Sequence, residues 1–178
     1  RSLGRVGVNE GDRVCVIGAG TIGLCCVAVA RYMGGIVELE SRHSHQLEAG
    51  SRIGAIESTD QPAQVVIEAA GTSSALSQAI EKCEKGGIVG IPSTYWAPVE
   101  IPALTMGMKE VSLVPSITYG HTTGQRDFDL AMSVLAEFPE LGRAIITNRF
   151  PLDGATEAFE TARDRSMGVI KVAIDVQS

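Results

Sequence analysis

Arg13-Val14-Cys15-Val16-Ile17, then Gly18-Ala19-Gly20-Thr21-Ile22-Gly23, then an apolar run to Met33 and a further segment from Ile36 to Arg42: this stretch decides the fold. Val14 to Ile17 are four apolar residues bounded by turn signals, the pattern of a short buried strand. The glycine run predicts a tight turn, and residues 21–33 have the length and small-residue content of a helix. Strand, turn, helix and second strand in this order form a dinucleotide-binding unit. In such a unit Gly18 allows the turn, Gly20 lets the backbone approach a pyrophosphate, and Gly23 lets the helix pack tightly on the strand. The helix start offers the N–H groups of Thr21 and Ile22, with the positive end of its dipole, to the phosphates. Residues 14–30 carry no charge, but three glycines near the start and a strand-like first half argue against a continuous bilayer helix.

The rest of the chain repeats the alternation. Residues 41–54 read as a helix capped by Ser41 or Ser44, and residues 55–57 as a short third strand. A loop over 58–62 leads to a fourth strand, 64–68, ending at Ala69-Ala70-Gly71. Thr72 or Ser73 caps a helix through residue 82, and Gly86-Gly87 turns into a fifth strand, 88–91. Strands alternating with helices imply an α/β fold with a parallel, doubly wound sheet. Pro98, Pro102 and Pro115 punctuate a more open stretch, with a sixth strand over 110–118. A helix over 127–138 shows apolar Phe128, Ala131, Leu135 and Phe138 at helical spacing. An extended piece to residue 150, a helix over 152–163 and a strand over 168–176 close the chain. The division expected is a dinucleotide-binding domain over 1–140 and a C-terminal segment over 141–178.

At 178 residues, 44% apolar and 20% charged, the chain suits one well-buried globular domain with or without an appendage. A net charge of −6 with no lysine- or arginine-rich block argues against a nucleic-acid partner. The opening Arg1-Ser2-Leu3-Gly4 reads as the middle of a longer protein. Cys15, Cys25, Cys26 and Cys83 form no metal pattern; neighbours on a helix point about 100° apart, so Cys25 and Cys26 do not clamp one ion. They read as buried reduced thiols, which fits the cytoplasm. His43, His45 and His121 have no ligand partners at metal spacing.

Gly11-Asp12-Arg13-Val14 with Gly18 to Gly23 resembles the cofactor domain of the medium-chain, zinc-type alcohol dehydrogenases. So do residues 65–71, Gly86-Gly87-Ile88-Val89, residues 146–152, Ala158-Phe159 and Ile170-Lys171-Val172. The likeness spans essentially the whole chain. It implies a Rossmann fold, hydride transfer between an alcohol or carbonyl substrate and a nicotinamide cofactor, and a homodimer joined through the sixth strand. Apolar Val111, Leu113 and Val114 at the sheet's end point to the same edge. It also implies that zinc and the proton relay belong to an N-terminal domain that these residues do not contain, to which the C-terminal segment would return. Two departures stand out: the stretch between Ala55 and Val65 is short enough to lack a helix, and Gln64 replaces the usual Asp.

By the resemblance, Ala70 and Gly71, Ile91, Pro92 and Ser93, and Ser116 line the dinucleotide path at the ends of the fourth, fifth and sixth strands, and Lys171 meets the phosphates. Tyr95 and Trp96 read equally as substrate-cleft, interface or loop residues, and Glu68 has no assigned role. Counting back from Gly54-Ala55, Ser41 occupies the place where NAD-preferring sites carry an acid, and Arg42 follows it. A hydroxyl plus a guanidinium suits a 2′-phosphate, so NADP is the expected cofactor. A one-residue slip puts Glu40 there instead and gives NAD. The alternatives to a zinc-type alcohol dehydrogenase are a zinc-independent quinone reductase of the same superfamily and a non-catalytic dinucleotide-binding module.

Overall fold

The alternation of side chains along each strand sorts the interior into two layers, one on either face of a parallel sheet. The computed structural model describes residues 1–122, 124–164 and 168–176. Helix α1 (Ser2–Val6) leads into strand β1 (Arg13–Ile17), helix α2 (Thr21–Tyr32), strand β2 (Ile36–Glu40), helix α3 (Ser44–Arg52) and strand β3 (Ile56–Glu57). Strand β4 (Ala63–Glu68), helix α4 (Ser73–Lys82), strand β5 (Cys83–Ile91), helix α5 (Ala103–Lys109) and strand β6 (Ser112–Pro115) follow. The sheet runs β3-β2-β1-β4-β5-β6 with every pairing parallel. Val14, Val16, Val37, Leu39, Val65 and Ile67 face α2 and one core. Cys15, Ile17, Val66 and Val89 face α4 and the other. Strand order reverses between β1 and β4, the switch point where a doubly wound sheet opens a crevice.

No helix intervenes between β3 and β4, as the short spacing predicts. A loop crosses there instead, and it is anchored by a fully buried carboxylate. Glu38 of β2 accepts from the Thr59 amide at 2.9 Å and hydroxyl at 3.0 Å, and pairs with Arg13 and, at 3.6 Å, Lys82. Gln64, where the resembling family more often carries Asp, lies within β4, and its Oε1 accepts the Arg13 amide at 2.8 Å.

Three local expectations are corrected. The helix expected from residue 41 starts at Ser44, because the Ser41 hydroxyl donates to Gln46 Oε1 at 2.5 Å and accepts the His43 amide instead of capping. The open, proline-marked stretch contains α5, which ends at Glu110 in a left-handed conformation and shortens the sixth strand to four residues. The helix expected over 152–163 opens as a 3-10 turn, Leu152–Gly154, before α8 (Ala155–Arg163).

Beyond the hairpin β7 (His121–Thr122) and β8 (Gln125–Arg126) come α6 (Asp127–Glu137) and α7 (Glu140–Ile145), the latter not foreseen. Leu141, Ala144 and Ile145 of α7 join the main core. Strands β9 (Ile146–Pro151) and β10 (Lys171–Asp175) pair parallel in a separate two-stranded sheet. No helix among the described residues is long and apolar enough to cross a membrane.

Candidate functional site

The turn after β1 is held by backbone contacts that only glycine permits. Gly18 has φ +99°, and its amide donates to the Glu40 carbonyl at 2.9 Å, tying the turn to the end of β2. A Cβ on Gly18 would stand 2.9 Å from the Ala70 amide nitrogen, and one on Gly23 would stand 1.8 Å from the Gly18 carbonyl oxygen. Gly20 differs: its φ is −77° and nothing lies within 4 Å of where its Cβ would be. It occupies the cap position of α2 with no side-chain bond to the helix start, and Leu24 makes the first bond back, to the Gly20 carbonyl at 3.0 Å. The amides at the head of α2 therefore face open space with the helix dipole behind them.

That space is a cavity of about 500 Å³ at the switch point. Gly18, Gly20 and Thr21 form its floor, Ser41 and Arg42 its β2 side, and Ala70 its β4 side. Ile22 is 53% exposed and Gly23 is buried; neither side of the helix at these residues lines the cavity. The outer wall is supplied from far along the sequence by Ala162, Val169 and Ile170. Lys171, the next residue, stands exposed on β10 outside the lining, near the Cys25 thiol of α2. The stacked rings of His43 and His45, 5.4 Å between centroids, sit on the Arg42 side. Gln78 of α4 lies opposite and donates to the Glu40 carboxylate. Ser74 and Gln78 one helical turn apart on a predicted helix were the available signal for this wall.

Gly71, Ile91, Pro92, Ser93 and Ser116 do not line this cavity; they stand at or beyond the carboxyl ends of β4, β5 and β6. Their organiser is Glu68. Its fully buried carboxylate accepts the Ala70 and Gly71 amides, both at 2.8 Å, and the hydroxyls of Ser93 and Tyr95. Burial, and then the neighbouring carboxylate, push the Tyr95 hydroxyl well above its ordinary range, so it stays a donor. The Ser93 hydroxyl is thus committed to Glu68. The Ser116 Oγ, just past the carboxyl end of β6, is buried without a hydrogen-bond partner. These features fit a dinucleotide.

Zinc has no comparable fit. Among the described residues no three His, Cys, Asp or Glu side chains converge. Burial pushes the thiols of Cys15 and Cys83 up to about 11 and that of Cys26 up to about 12, which keeps them protonated at neutral pH.

The sequence model of the family described as glucose dehydrogenase C-terminus matches residues 7–176. The chain belongs to that family. Rat sorbitol dehydrogenase is 28% identical over 89% of this chain and 48% of its own length. An Escherichia coli alcohol dehydrogenase complexed with NADH superposes with a TM-score of 0.79 at 21% identity, over 98% of this chain and 55% of that one. A Sinorhizobium meliloti protein described as a zinc-binding dehydrogenase, bound to NADP, gives 0.81 at 24% identity over the same shares. The resemblance to the medium-chain, zinc-type alcohol dehydrogenases is thereby borne out. As a member of the glucose dehydrogenase C-terminus family, the chain spans about half the length of the curated relatives it matches.

Proposed function

We propose that this chain is the nicotinamide-dinucleotide-binding portion of an alcohol or polyol oxidoreductase, with NADP as its preferred cofactor. The observation that carries the reading is Gly20: open space beside an uncapped helix start, on the floor of a cavity large enough for the adenosine half of a dinucleotide. The α2 amides hold the pyrophosphate, Ser41 and Arg42 hold the 2′-phosphate, and the Ala70–Gly71 turn and Ser116 flank the path to the nicotinamide. When bound, the cofactor supplies the hydride acceptor or donor. A zinc-bearing catalytic domain outside these residues would hold the substrate, and residues 141–178, with their separate sheet, are the segment that returns to it. The four free cysteines fit a cytoplasmic protein.

Calorimetry on the 178-residue chain tests the cofactor half. NADPH should bind weakly and no alcohol should be oxidised. Arg42→Ala should weaken NADPH by roughly 1.5–3 kcal/mol, the worth of a charge-assisted hydrogen bond, and leave NADH unchanged. The competing NAD reading rests on Glu40, the last residue of β2 and a lining residue. NADH binding more tightly than NADPH, with Arg42→Ala indifferent to both, would establish it.

The same reading makes the protein a homodimer through β6, which ends the sheet and pairs only with β5 among the described residues. Sedimentation at micromolar concentration should show a dimer, and Leu113→Lys should shift it towards monomer; a monomeric wild type would remove this proposal.

A further inference from the structure

The nucleotide reading leaves one charge in the wrong place. Glu40 closes β2 opposite Ile17, beside the glycine turn, and is the one carboxylate among the described residues lining the cavity. A carboxylate at this point of a doubly wound sheet accepts hydrogen bonds from a ribose 2′-hydroxyl and repels a 2′-phosphate. Left free, it would work against Arg42.

It is not free. Side chains alternate along β2, and Glu40 shares with Glu38 the face that looks towards α4. There the Gln78 amide of α4 donates to it, while Ser41 turns to Gln46 on α3. Glu40 and Gln78 together also line a neighbouring chamber of about 490 Å³, whose walls include Glu57, Asp60 and Glu81. The bonded pair thus stands between an acidic chamber and the nucleotide cavity, and draws the carboxylate to the partition.

We propose that Gln78 is a specificity-determining residue: by holding Glu40 against α4 it removes the carboxylate from the ribose and leaves the 2′ position to Ser41 and Arg42. The inference rests on the NADP reading. Its mark is that cofactor preference depends on a neutral amide that carries no charge to either nucleotide.

Gln78 is exposed, so its truncation leaves the fold intact. Dissociation constants for NADPH and NADH are measured on the wild-type chain, Gln78→Ala, Glu40→Gln and the double variant. Gln78→Ala should move the NADPH-to-NADH preference several-fold towards NADH, by weakening NADPH and strengthening NADH together. In the Glu40→Gln background the same change should move it by less than twofold, since no carboxylate remains to be released. An unchanged ratio in Gln78→Ala, or an equal shift in the Glu40→Gln background, overturns the role of Gln78 while a wild-type preference for NADPH stands. A wild-type preference for NADH overturns the nucleotide reading itself, and this inference with it.

Discussion

Glu38→Ala should cost the fold about 3–5 kcal/mol, the typical loss when one partner of a buried ion pair is removed. Glu38 is wholly inaccessible, and its removal strands the Thr59 amide and hydroxyl as well as Arg13 and a Lys82 side chain that is itself only 11% exposed. Lys82 also donates to the Thr59 carbonyl, so the crossing loop loses its anchor from both ends. For a chain of this size the loss corresponds to a fall in melting temperature on the order of 10 °C. Burial alone would raise the Glu38 carboxyl, but the Thr59 donors, Arg13 and Lys82 outweigh it and hold it below the ordinary glutamate value. A lowered carboxylate contributes stability that is complete above the unfolded value of about 4.3 and is lost as pH falls through the folded one. Glu38→Gln should therefore flatten the acid limb of the stability curve below about pH 4.3. Thermal melts from pH 3 to 7 check both statements. A melting temperature within about 2 °C of wild type for Glu38→Ala would show the carboxylate to be dispensable.

That network also marks the limit of what the sequence discloses. The β1–turn–α2–β2 unit was legible because hydrophobic run, glycine spacing and strand distance all report the same geometry. The missing helix before β4 was legible from length alone. Glu38 was not: within Ile36-Val37-Glu38-Leu39-Glu40 an acid at every second position looks like a half-exposed strand, and both faces of β2 are in fact covered. Its partners lie 21 to 44 residues away, beyond the reach of any local pattern. Glu68 failed for the same reason, since Ser93 and Tyr95 are brought to it by sheet order rather than spacing. The outer wall of the cavity, Ala162, Val169 and Ile170, depends on where the C-terminal segment lies against α2 and α3. Proline spacing misled in the other direction, because Pro102 sits at the cap position of α5, where a missing N–H costs nothing.

Gly20→Ala and Gly23→Ala should separate binding from folding, although the two residues are three apart in one motif. At Gly20 the backbone is in an extended region open to any residue, and an added methyl meets no protein atom within 4 Å. Alanine is a poorer cap than glycine, so the fold should lose no more than about 1 kcal/mol. The same methyl projects into the space assigned to the pyrophosphate, and dinucleotide affinity should fall at least tenfold, about 1.4 kcal/mol. At Gly23 the methyl would lie 1.8 Å from the Gly18 carbonyl oxygen, which belongs to backbone fixed by the Gly18–Glu40 hydrogen bond and by the close approach to Ala70. No flexible side chain can yield there. Helix α2 must lift off the turn, opening the layer that buries Leu24 and Val27, and the cost should reach or exceed the 1–3 kcal/mol typical of overpacked cores. Denaturant melts and NADPH titration on both variants give the comparison. Gly20→Ala that binds NADPH as the wild type does would place the phosphates away from this turn, whatever Gly23→Ala does to stability.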